Sequence, residues 1–480
     1  YQKGSAESSN ATAQDFPSDA YKKLSSAATK IDATTSSTEH SLLSYFIRGN
    51  LKFDERLLLS LSGRADGSSR FGANHKYGFF PAASAGYILT KGDMFQHLSW
   101  LNFLKVKAAY GLTGNDGLPD FASRPLFGGD AAYGGNAGEH QIQIANPDLK
   151  WESTLGVDFG FEASLLKNRI SIEFDVYQRN TKDLLINVQV PGTSGFATQF
   201  RNAGTLENKG LEVTFNTTNV SSRNFRWTSN LNFSYNKNKV TYIAGQIIGT
   251  DQNKAMEGQP IGVFYAREYA GVDPANGDAL YYLNTLKTDG TRDRGTTNNY
   301  NAASDVVIGD PNPKFLYGFG NTFNYRGLEL DVLLQGVYGN KIYNGGGQYM
   351  SANASNGFDN QTLDQLSYWK KPGDITMVPE PRMFYPNGTD PSSRYISDGS
   401  YLRVKSVSLG YSLPSSMMRR LRIDRVRIYV RAQNLFTITK YKGWDPEVNA
   451  DYQATNINKG VDFYSAPQLK TFVFGVNIGL

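Results

Sequence analysis

The chain has 480 residues, and 49 Lys and Arg against 44 Asp and Glu leave a net charge of +5, which is too close to neutral to argue for a nucleic-acid partner. The absence of Cys excludes disulfides, thiolate catalysis and metal sites built on sulfur. Aromatic residues make up 13% of the chain and Gly contributes 48 residues, a composition that favours β-structure over helix. No apolar run is long enough to predict a transmembrane helix.

The first 40 residues differ from the rest of the chain. Residues 1–40 are rich in Ser, Ala, Thr and Asp, which predicts a polar loop or weakly ordered segment. From Ser41 onward apolar and polar residues alternate, and period two is typical of strands with one apolar and one polar face. The last apolar run comprises Phe472, Phe474, Val476 and Ile478.

Thirteen segments carry this alternation, and many reach the ~9–11 residues that a tilted strand needs to cross a bilayer. An antiparallel transmembrane β-barrel is therefore the predicted fold class, because such a barrel needs only one apolar face per strand. The predicted strands are 42–53, 56–66, 76–89, 103–113, 151–166, 168–186, 206–218, 224–240, 314–325, 326–337, 399–412, 424–434 and 468–480.

The connections alternate between short turns and long loops. Short connections such as 54–55 and 326–327 alternate with loops that are rich in Gly, Asn, Asp, Tyr and Pro. This asymmetry is typical of outer-membrane barrels, which have periplasmic turns and longer extracellular loops. The predicted extracellular loops are 114–150, 187–205, 241–313, 338–398 and 435–467.

One predicted strand changes its phase. Leu402 and Val404 are apolar at even positions, whereas Val407, Leu409 and Tyr411 are apolar at odd positions. A β-bulge near Lys405 and Ser406 would absorb the extra residue.

The predicted strand count is odd, whereas complete single-chain barrels have an even number. Either the count is wrong by one, or the chain is the C-terminal part of a larger barrel. The second alternative places residues 1–40 at the end of an extracellular loop and residues 41–480 in the barrel.

Acidic residues on the polar strand faces allow two interpretations. A pair of carboxylates could form a glycosidase site, but acidic residues at alternate positions are also expected in a hydrated barrel wall, where they pair with basic residues of other strands. The wall is the preferred interpretation, and the sequence predicts no catalytic residue. The carboxylates are Asp158, Glu162, Glu173, Asp175, Glu212, Glu329 and Asp331, and the basic candidates are Lys105, Lys107, Arg403, Lys405, Arg427 and Arg431.

Other motifs predict neither a metal nor a cofactor. Residues 273–278 hold three side chains with oxygen ligands, but Asn276-Gly277 between tyrosines is a better hairpin turn than a calcium loop. The four His residues have no ligand or triad spacing. Gly345-Gly346-Gly347 precedes no helix pattern and predicts no phosphate site.

Aromatic residues in the long loops are the candidate contacts for a ligand or a lid protein. Their faces could stack on a sugar ring, although loop packing or an aromatic girdle is the alternative for each residue. The candidates are Tyr133, Tyr338, Tyr343, Tyr349, Trp369 and Trp444.

Several short motifs resemble those of SusC/RagA-type TonB-dependent transporters of the Bacteroidetes outer membrane. Each motif is weak alone, but together they cover some 330 residues in the family's order. They are Asn-Pro-Asp-Leu-Lys-Trp-Glu at 146–152, Asn-Ala-Gly at 202–204, Glu-Asn-Lys-Gly-Leu-Glu at 207–212, Ser-Tyr-Leu-Arg-Val-Lys at 400–405, Leu-Gly-Tyr-Ser-Leu-Pro at 409–414, Ala-Gln-Asn-Leu-Phe-Thr at 432–437 and Tyr-Lys-Gly-Trp-Asp-Pro-Glu at 441–447.

The resemblance implies about 13 strands of a barrel of roughly 22 around a plugged lumen, with no plug domain in this chain. It further implies outer-membrane import of oligosaccharides or peptides, a SusD-like surface lipoprotein as a lid, and TonB acting through an N-terminal plug. A passive porin or structural barrel is the alternative, and a secreted all-β carbohydrate-binding or hydrolytic protein is a third possibility.

Overall fold

The computed structural model describes residues 1–479 except 96, 250, 354, 356, 415, 419–422 and 449–456. No helix among these residues has the length and apolar character required to cross a membrane. The chain divides into two compact units. The first comprises Tyr1–Ala85, Ala109–Val157 and Arg179–Leu206, and the second comprises Gly86–Ala108, Asp158–Gln178 and Glu207–Leu480.

The described residues are almost entirely strands and turns. The helix α1 is Gly347–Met350, residues 416–418 are also helical, and short 3-10 helices occur at Leu24–Ser26, Leu89–Lys91, Asp93–Phe95, Gly192–Ser194, Tyr300–Ala302, Leu363–Ser367 and Ser393–Tyr395. The strands are β1 Gln2–Gln14, β2 Thr29–Phe53, β3 Leu57–Ser68, β4 Tyr77–Ile88, β5 Leu101–Asn115, β6 Leu126–Tyr133, β7 Asn136–Gln143, β8 Glu152–Leu165, β9 Ile170–Lys182, β10 Leu185–Gln189, β11 Thr198–Asn202, β12 Thr205–Ser221, β13 Phe225–Tyr242, β14 Asn253–Lys254, β15 Val263–Ala266, β16 Tyr269–Val272, β17 Ala279–Tyr282, β18 Thr296–Thr297, β19 Val306–Gly309, β20 Phe315–Tyr325, β21 Leu328–Tyr338, β22 Lys341–Asn344, β23 Ile396–Asp398, β24 Tyr401–Ser412, β25 Arg425–Thr439, β26 Val461–Asp462 and β27 Thr471–Gly479.

Fourteen long strands form one antiparallel sheet in the order β1-β2-β3-β4-β5-β8-β9-β12-β13-β20-β21-β24-β25-β27. Each of them pairs with the previous long strand of the chain, as expected for successive hairpins. The all-β prediction is confirmed, and each of the thirteen predicted strands corresponds to one of the long strands. β1 and β27 are the first and last strands in this order. Strand β2, which contains residues 42–53, therefore does not pair with β27 in the described part of the chain.

The prediction of a loop at residues 1–40 is wrong in its secondary structure. β1 pairs with the first half of β2 from Gln2 opposite Leu42 to Gln14 opposite Thr29. Nearly all residues of this hairpin arm are exposed on both faces. A strand with water on both sides needs no apolar stripe, so its sequence lacks the alternation on which strand prediction depends. The sheet has fourteen strands in the described part of the chain, so the parity argument for an incomplete barrel fails.

Short turns join the long strands at one end, as predicted. Tyr325 and Leu328 are paired across a two-residue connection, in which Arg326 and Gly327 both have positive φ, 46° and 90°. Positive φ at both central residues defines a type I′ turn, whose twist matches that of the flanking strands.

The predicted β-bulge is confirmed. Ser406 lies opposite Leu333 and Val404 lies opposite Leu334, so Lys405 is the extra residue in β24. The pairing of β24 with β25 shifts at the same place. The bulge restores the apolar residues on both sides of it to one face of the sheet.

The long loops at the other end contain structure of their own. In the second unit, β22 pairs antiparallel with β23 and parallel with β26, and β16, β17 and β18 form a small sheet. A buried cluster of Phe264, Tyr343, Tyr395 and Val461 joins three loop segments. These loops therefore contain packed apolar cores of their own, and β25 extends to Thr439, beyond the predicted loop start at 435.

Candidate functional site

The apolar face of the sheet is exposed in the folded chain. On β27 the side chains of Phe472, Phe474, Val476 and Ile478 are each more than half exposed, with Phe474 at 80%. Other long strands contribute exposed residues such as Phe159 and Phe436. A soluble protein rarely exposes so much continuous apolar surface, whereas a membrane barrel presents it to lipid.

The opposite face carries the ion pairs that the sequence predicts. In the second unit, Lys105 Nζ lies 2.6 Å from Glu162 Oε1. Lys107 Nζ lies 2.6 Å from Glu173 and 3.0 Å from Asp175. Each of these five charges therefore has an opposite charge within hydrogen-bond distance, as expected for a hydrated wall and not for an isolated catalytic carboxylate pair.

The same pattern continues on β21 and β25. Arg427 Nη2 donates to Glu329 Oε1 at 2.6 Å, and Asp331 accepts a hydrogen bond from Thr322 at 2.7 Å. Arg431 lies over the ring of Tyr429 instead, with its guanidinium carbon 6.0 Å from the ring centroid.

Two predicted wall residues have partners that the sequence did not indicate. Arg403, only 2% exposed, forms an ion pair with Asp445 and donates to Glu447 at 2.7 Å. Lys405 pairs with Glu447 at 3.0 Å. Both acids lie in the connection between β25 and β27, so this loop folds back against β24. The partners were missed because a sequence gives no distance between a strand and a loop 40 residues later.

Asp445 organises the loop that contains it. Its carboxylate accepts backbone hydrogen bonds from Glu447 at 2.8 Å and Gln468 at 2.9 Å, besides its pair with Arg403. Burial alone would favour the neutral acid, but these three donors outweigh burial and lower the pKa of Asp445.

Uncharged amides cover another part of the polar wall. Asn232 donates to Asn230 at 2.7 Å, Asn230 donates to Asn216, and Thr214 donates to Asn232 at 3.2 Å. These residues alternate with apolar residues on β12 and β13. The wall is therefore charged at some strands and amide-lined at others.

The six candidate aromatic residues divide by exposure. Tyr133, at the tip of the β6–β7 hairpin, is 91% exposed, and Trp444 is 71% exposed. Tyr338 is 50% exposed and stacks on Phe315 with the ring centroids 4.6 Å apart. Tyr349 is 45% exposed and lies edge-on to Phe463. Rings of these four residues are accessible from solvent.

Tyr343 and Trp369 are buried, and their rings are not accessible to a ligand. Tyr343 is fully enclosed in the cluster with Phe264, Tyr395 and Val461. Trp369 is 7% exposed, and its indole N–H donates to the carbonyl of Pro274 at 3.1 Å. Their predicted contact with a ligand is therefore corrected to loop packing. Aromatic residues in a loop long enough to form its own core pack inside that core.

The segment 273–278 forms the predicted turn. Asp273 N–H donates to the Asp278 carbonyl at 2.8 Å, and Gly277 has a φ of 77°. Hydrogen bonds from Asn298 and Arg382 outweigh the effect of burial and lower the pKa of Asp278. In the described part of the chain, no three His, Asp or Glu side chains are grouped so that they could hold a metal ion.

An apolar outer face, a paired polar wall and long loops at one end together define a membrane barrel of the transporter or receptor class. Residues 1–435 match the family described as TonB dependent receptor-like, beta-barrel, and the chain belongs to this family. It is an outer-membrane protein, and its family is one of transporters and receptors.

Relatives agree with the resemblance found in the sequence motifs. The chain is 32% identical to TonB-dependent receptor P3 of Formosa agariphila over 100% of the chain and 50% of that protein. It is 27% identical to TonB-dependent receptor SusC of Bacteroides thetaiotaomicron over 93% of the chain and 44% of that protein. The chain thus spans about half the length of the curated relatives it matches.

A solved structure gives the same result. The structure of the RagAB peptide transporter matches with a TM-score of 0.86 and 28% identity, over 99% of this chain and 52% of that chain. The predicted SusC/RagA-type fold is therefore confirmed.

Proposed function

We propose that the chain is the C-terminal barrel portion of a SusC-like importer that moves oligosaccharides or peptides across the outer membrane. The observation that carries this proposal is the match of nearly the whole chain to the RagAB peptide transporter. The extent of the match, about half of each relative, fits a portion of the barrel. In this proposal the chain catalyses no reaction.

The residues of the polar wall support passage of a hydrophilic solute. Lys107 is neutralised by Glu173 and Asp175, and Arg427 by Glu329. A wall with paired charges is hydrated but does not bind a charged solute tightly. Weak binding lets a solute leave the wall again, as passage through a barrel requires. The amides of Asn216, Asn230 and Asn232 offer hydrogen bonds to neutral groups of a passing solute.

The proposed partners follow from the family. A SusD-like surface lipoprotein would close the extracellular side of the barrel over the long loops, and TonB would act through the family's N-terminal plug. Lipid surrounds the apolar face, and energy comes from the proton motive force through TonB.

Uptake in cells tests the proposal. Cells with the full-length gene and cells lacking it receive fluorescently labelled maltoheptaose or a labelled pool of hexapeptides. We expect uptake of one of the two to require the gene and TonB, and to stop when a protonophore collapses the proton gradient. Uptake that needs the gene but not TonB would establish the passive porin instead, and no gene-dependent uptake of either probe would count against import.

A further inference from the structure

Three aromatic rings come together on the long loops of the second unit. Tyr349 lies in α1, and Phe463 and Tyr464 follow β26. The ring centroids of Tyr349 and Phe463 are 6.0 Å apart, and those of Phe463 and Tyr464 are 4.9 Å apart. We call these three residues the aromatic platform. Tyr349 and Tyr464 are 45% and 48% exposed.

The platform rests on a rigid base. Tyr343 pairs with Val461 and Asn344 with Asp462 in a parallel bridge, and Phe463 packs against the buried cluster that contains Tyr343. The Asp462 carboxylate accepts hydrogen bonds from the Tyr441 hydroxyl and the Ser465 N–H. A surface that is held in place before a ligand arrives loses little conformational entropy on binding.

Gly345 and Gly346 lie against two of these rings. A Cβ atom at Gly346 would meet the Tyr464 ring at 3.5 Å, and one at Gly345 would meet the Phe463 ring at 3.4 Å. The backbone at these two glycines therefore lies against the rings of Phe463 and Tyr464, while Tyr464 remains half exposed. Gly345 and Gly346, which fit no phosphate site, leave room for these rings.

Tyr464 has an unusual backbone conformation. Its φ is 53°, in the left-handed region, which is uncommon for a bulky residue other than Gly, Asn or Asp. Such a residue costs of order 1–3 kcal/mol, and conformations of this kind cluster at ligand sites. In this conformation the Tyr464 ring lies edge-on to Phe463, with an interplanar angle of 72°, and against Gly346.

Polar groups border the platform. Gln361 Nε2 donates to the carbonyls of Tyr349 at 3.0 Å and Asp359 at 3.1 Å, which ties the segment 359–361 to the platform. Partial burial raises the pKa of Tyr464, and the negative charge of Asp359 adds to this effect. A carboxylate accepts several hydrogen bonds from hydroxyl groups.

We propose that the aromatic platform with Asp359 is a binding site for a pyranose ring of an oligosaccharide. The negative face of an aromatic ring attracts polarised C–H groups, which a pyranose presents on its flat sides. The hydroxyls at the edge of the sugar ring then donate to the Asp359 carboxylate. This inference rests on the proposed import function and selects carbohydrate over peptide as the solute.

Binding by the purified full-length protein in detergent tests the site. The probes are maltoheptaose, cellohexaose, xylohexaose and a pool of hexapeptides, and calorimetry measures the dissociation constants. We expect at least one oligosaccharide to bind, and Tyr464→Asn to weaken it about tenfold, which corresponds to ~1.4 kcal/mol. Asn tolerates the left-handed conformation, so this variant removes the ring without adding strain.

Two further variants control for the fold. Tyr464→Phe keeps the ring and should bind within about twofold of the unaltered protein. Phe127→Ala removes another exposed aromatic ring, one that lies in the first unit and is not a candidate contact, and should leave binding unchanged. Resistance of the folded barrel to SDS at room temperature shows whether each variant is folded.

Several outcomes would overturn the site. They are an absence of oligosaccharide binding, oligosaccharide binding that Tyr464→Asn leaves unchanged, and peptide binding that the same variant weakens. TonB-dependent uptake of peptides in cells would then leave the import function intact while removing the carbohydrate site. The two proposals therefore fail separately.

Discussion

At the scale of single residues, position on the sheet decides what a substitution costs. Val476 and Asn477 are neighbours on β27, but Val476 is 58% exposed on the apolar face and Asn477 lies opposite Arg427 on the polar face. Lipid cannot solvate a cation, whereas water at the polar wall can. The same introduced charge should therefore have different effects at the two positions.

We expect Val476→Arg to destabilise the folded barrel by about 2–4 kcal/mol if the residue lies near the midplane of the bilayer. Asn477→Arg should cost less than about 1 kcal/mol, and only because it faces Arg427. Urea titration of the full-length protein in lipid vesicles measures both values. Equal losses for the two variants would contradict the assigned faces.

Arg403 is the residue on which the β25–β27 loop most depends. Arg403→Met leaves Asp445 buried without its cation, and removing one partner of a buried pair costs about 3 kcal/mol or more. We expect amide hydrogens of residues 440–448 to exchange faster in this variant. Arg403→Met combined with Asp445→Asn should recover part of the protection, because it removes the buried unpaired charge. Recovery stays incomplete, since the Glu447 and Gln468 N–H groups donate to different oxygens of Asp445 and Asn keeps only one of them. Unchanged exchange in the single variant would show that other contacts hold the loop.

The lowered pKa of Asp445 sets the pH dependence of this anchor. A carboxylate with a folded pKa below its unfolded value, about 3.9, contributes stability above that pH and loses it as the pH falls through the folded pKa. Protection of the loop should therefore stay constant from pH 8 to 5 and decrease below about pH 4. Hydrogen exchange at matched intrinsic rates tests this expectation, and a decrease already at pH 6 would point to another group.

At the scale of secondary-structure elements, the turns fix the register of the hairpins. Gly327 has a φ of 90°, and a Cβ atom there would lie 2.8 Å from the carbonyl of Ser412. Gly320, on β20 of the same hairpin, has ordinary backbone angles, and a Cβ atom there would meet nothing closer than 3.9 Å.

We expect Gly327→Ala to cost about 1–3 kcal/mol, since it adds both backbone strain and a close contact. Gly320→Ala should be nearly neutral. Urea titration in vesicles measures the difference between the two variants. A neutral Gly327→Ala would mean that the hairpin adopts another turn without loss.

At the scale of the whole molecule, long loops and short turns should lie on opposite sides of the membrane. Lys370 and Lys371 are exposed in the connection 339–400, and Arg223 is exposed in the connection 222–224. We expect trypsin added to intact cells to cut after Lys370, since the following Lys371–Pro372 bond resists trypsin, and to cut after Arg223 only when the outer membrane is opened. Mass spectrometry of the fragments identifies the sites. Cleavage at Arg223 alone in intact cells would reverse the orientation.

The sequence by itself determined the long strands, their short turns and the bulge at Lys405, because an apolar phase on one side imposes period two and a phase change requires an extra residue. It did not reveal β1, since a strand with water on both faces carries no such pattern. Motif order identified the SusC/RagA-type family before any coordinate was known. Tertiary structure alone decided that Tyr343 and Trp369 are core residues, that Arg403 pairs with Asp445, and that Phe463 and Tyr464 join Tyr349. These contacts link loop segments up to about 115 residues apart, and their distances follow from packing that local patterns do not encode.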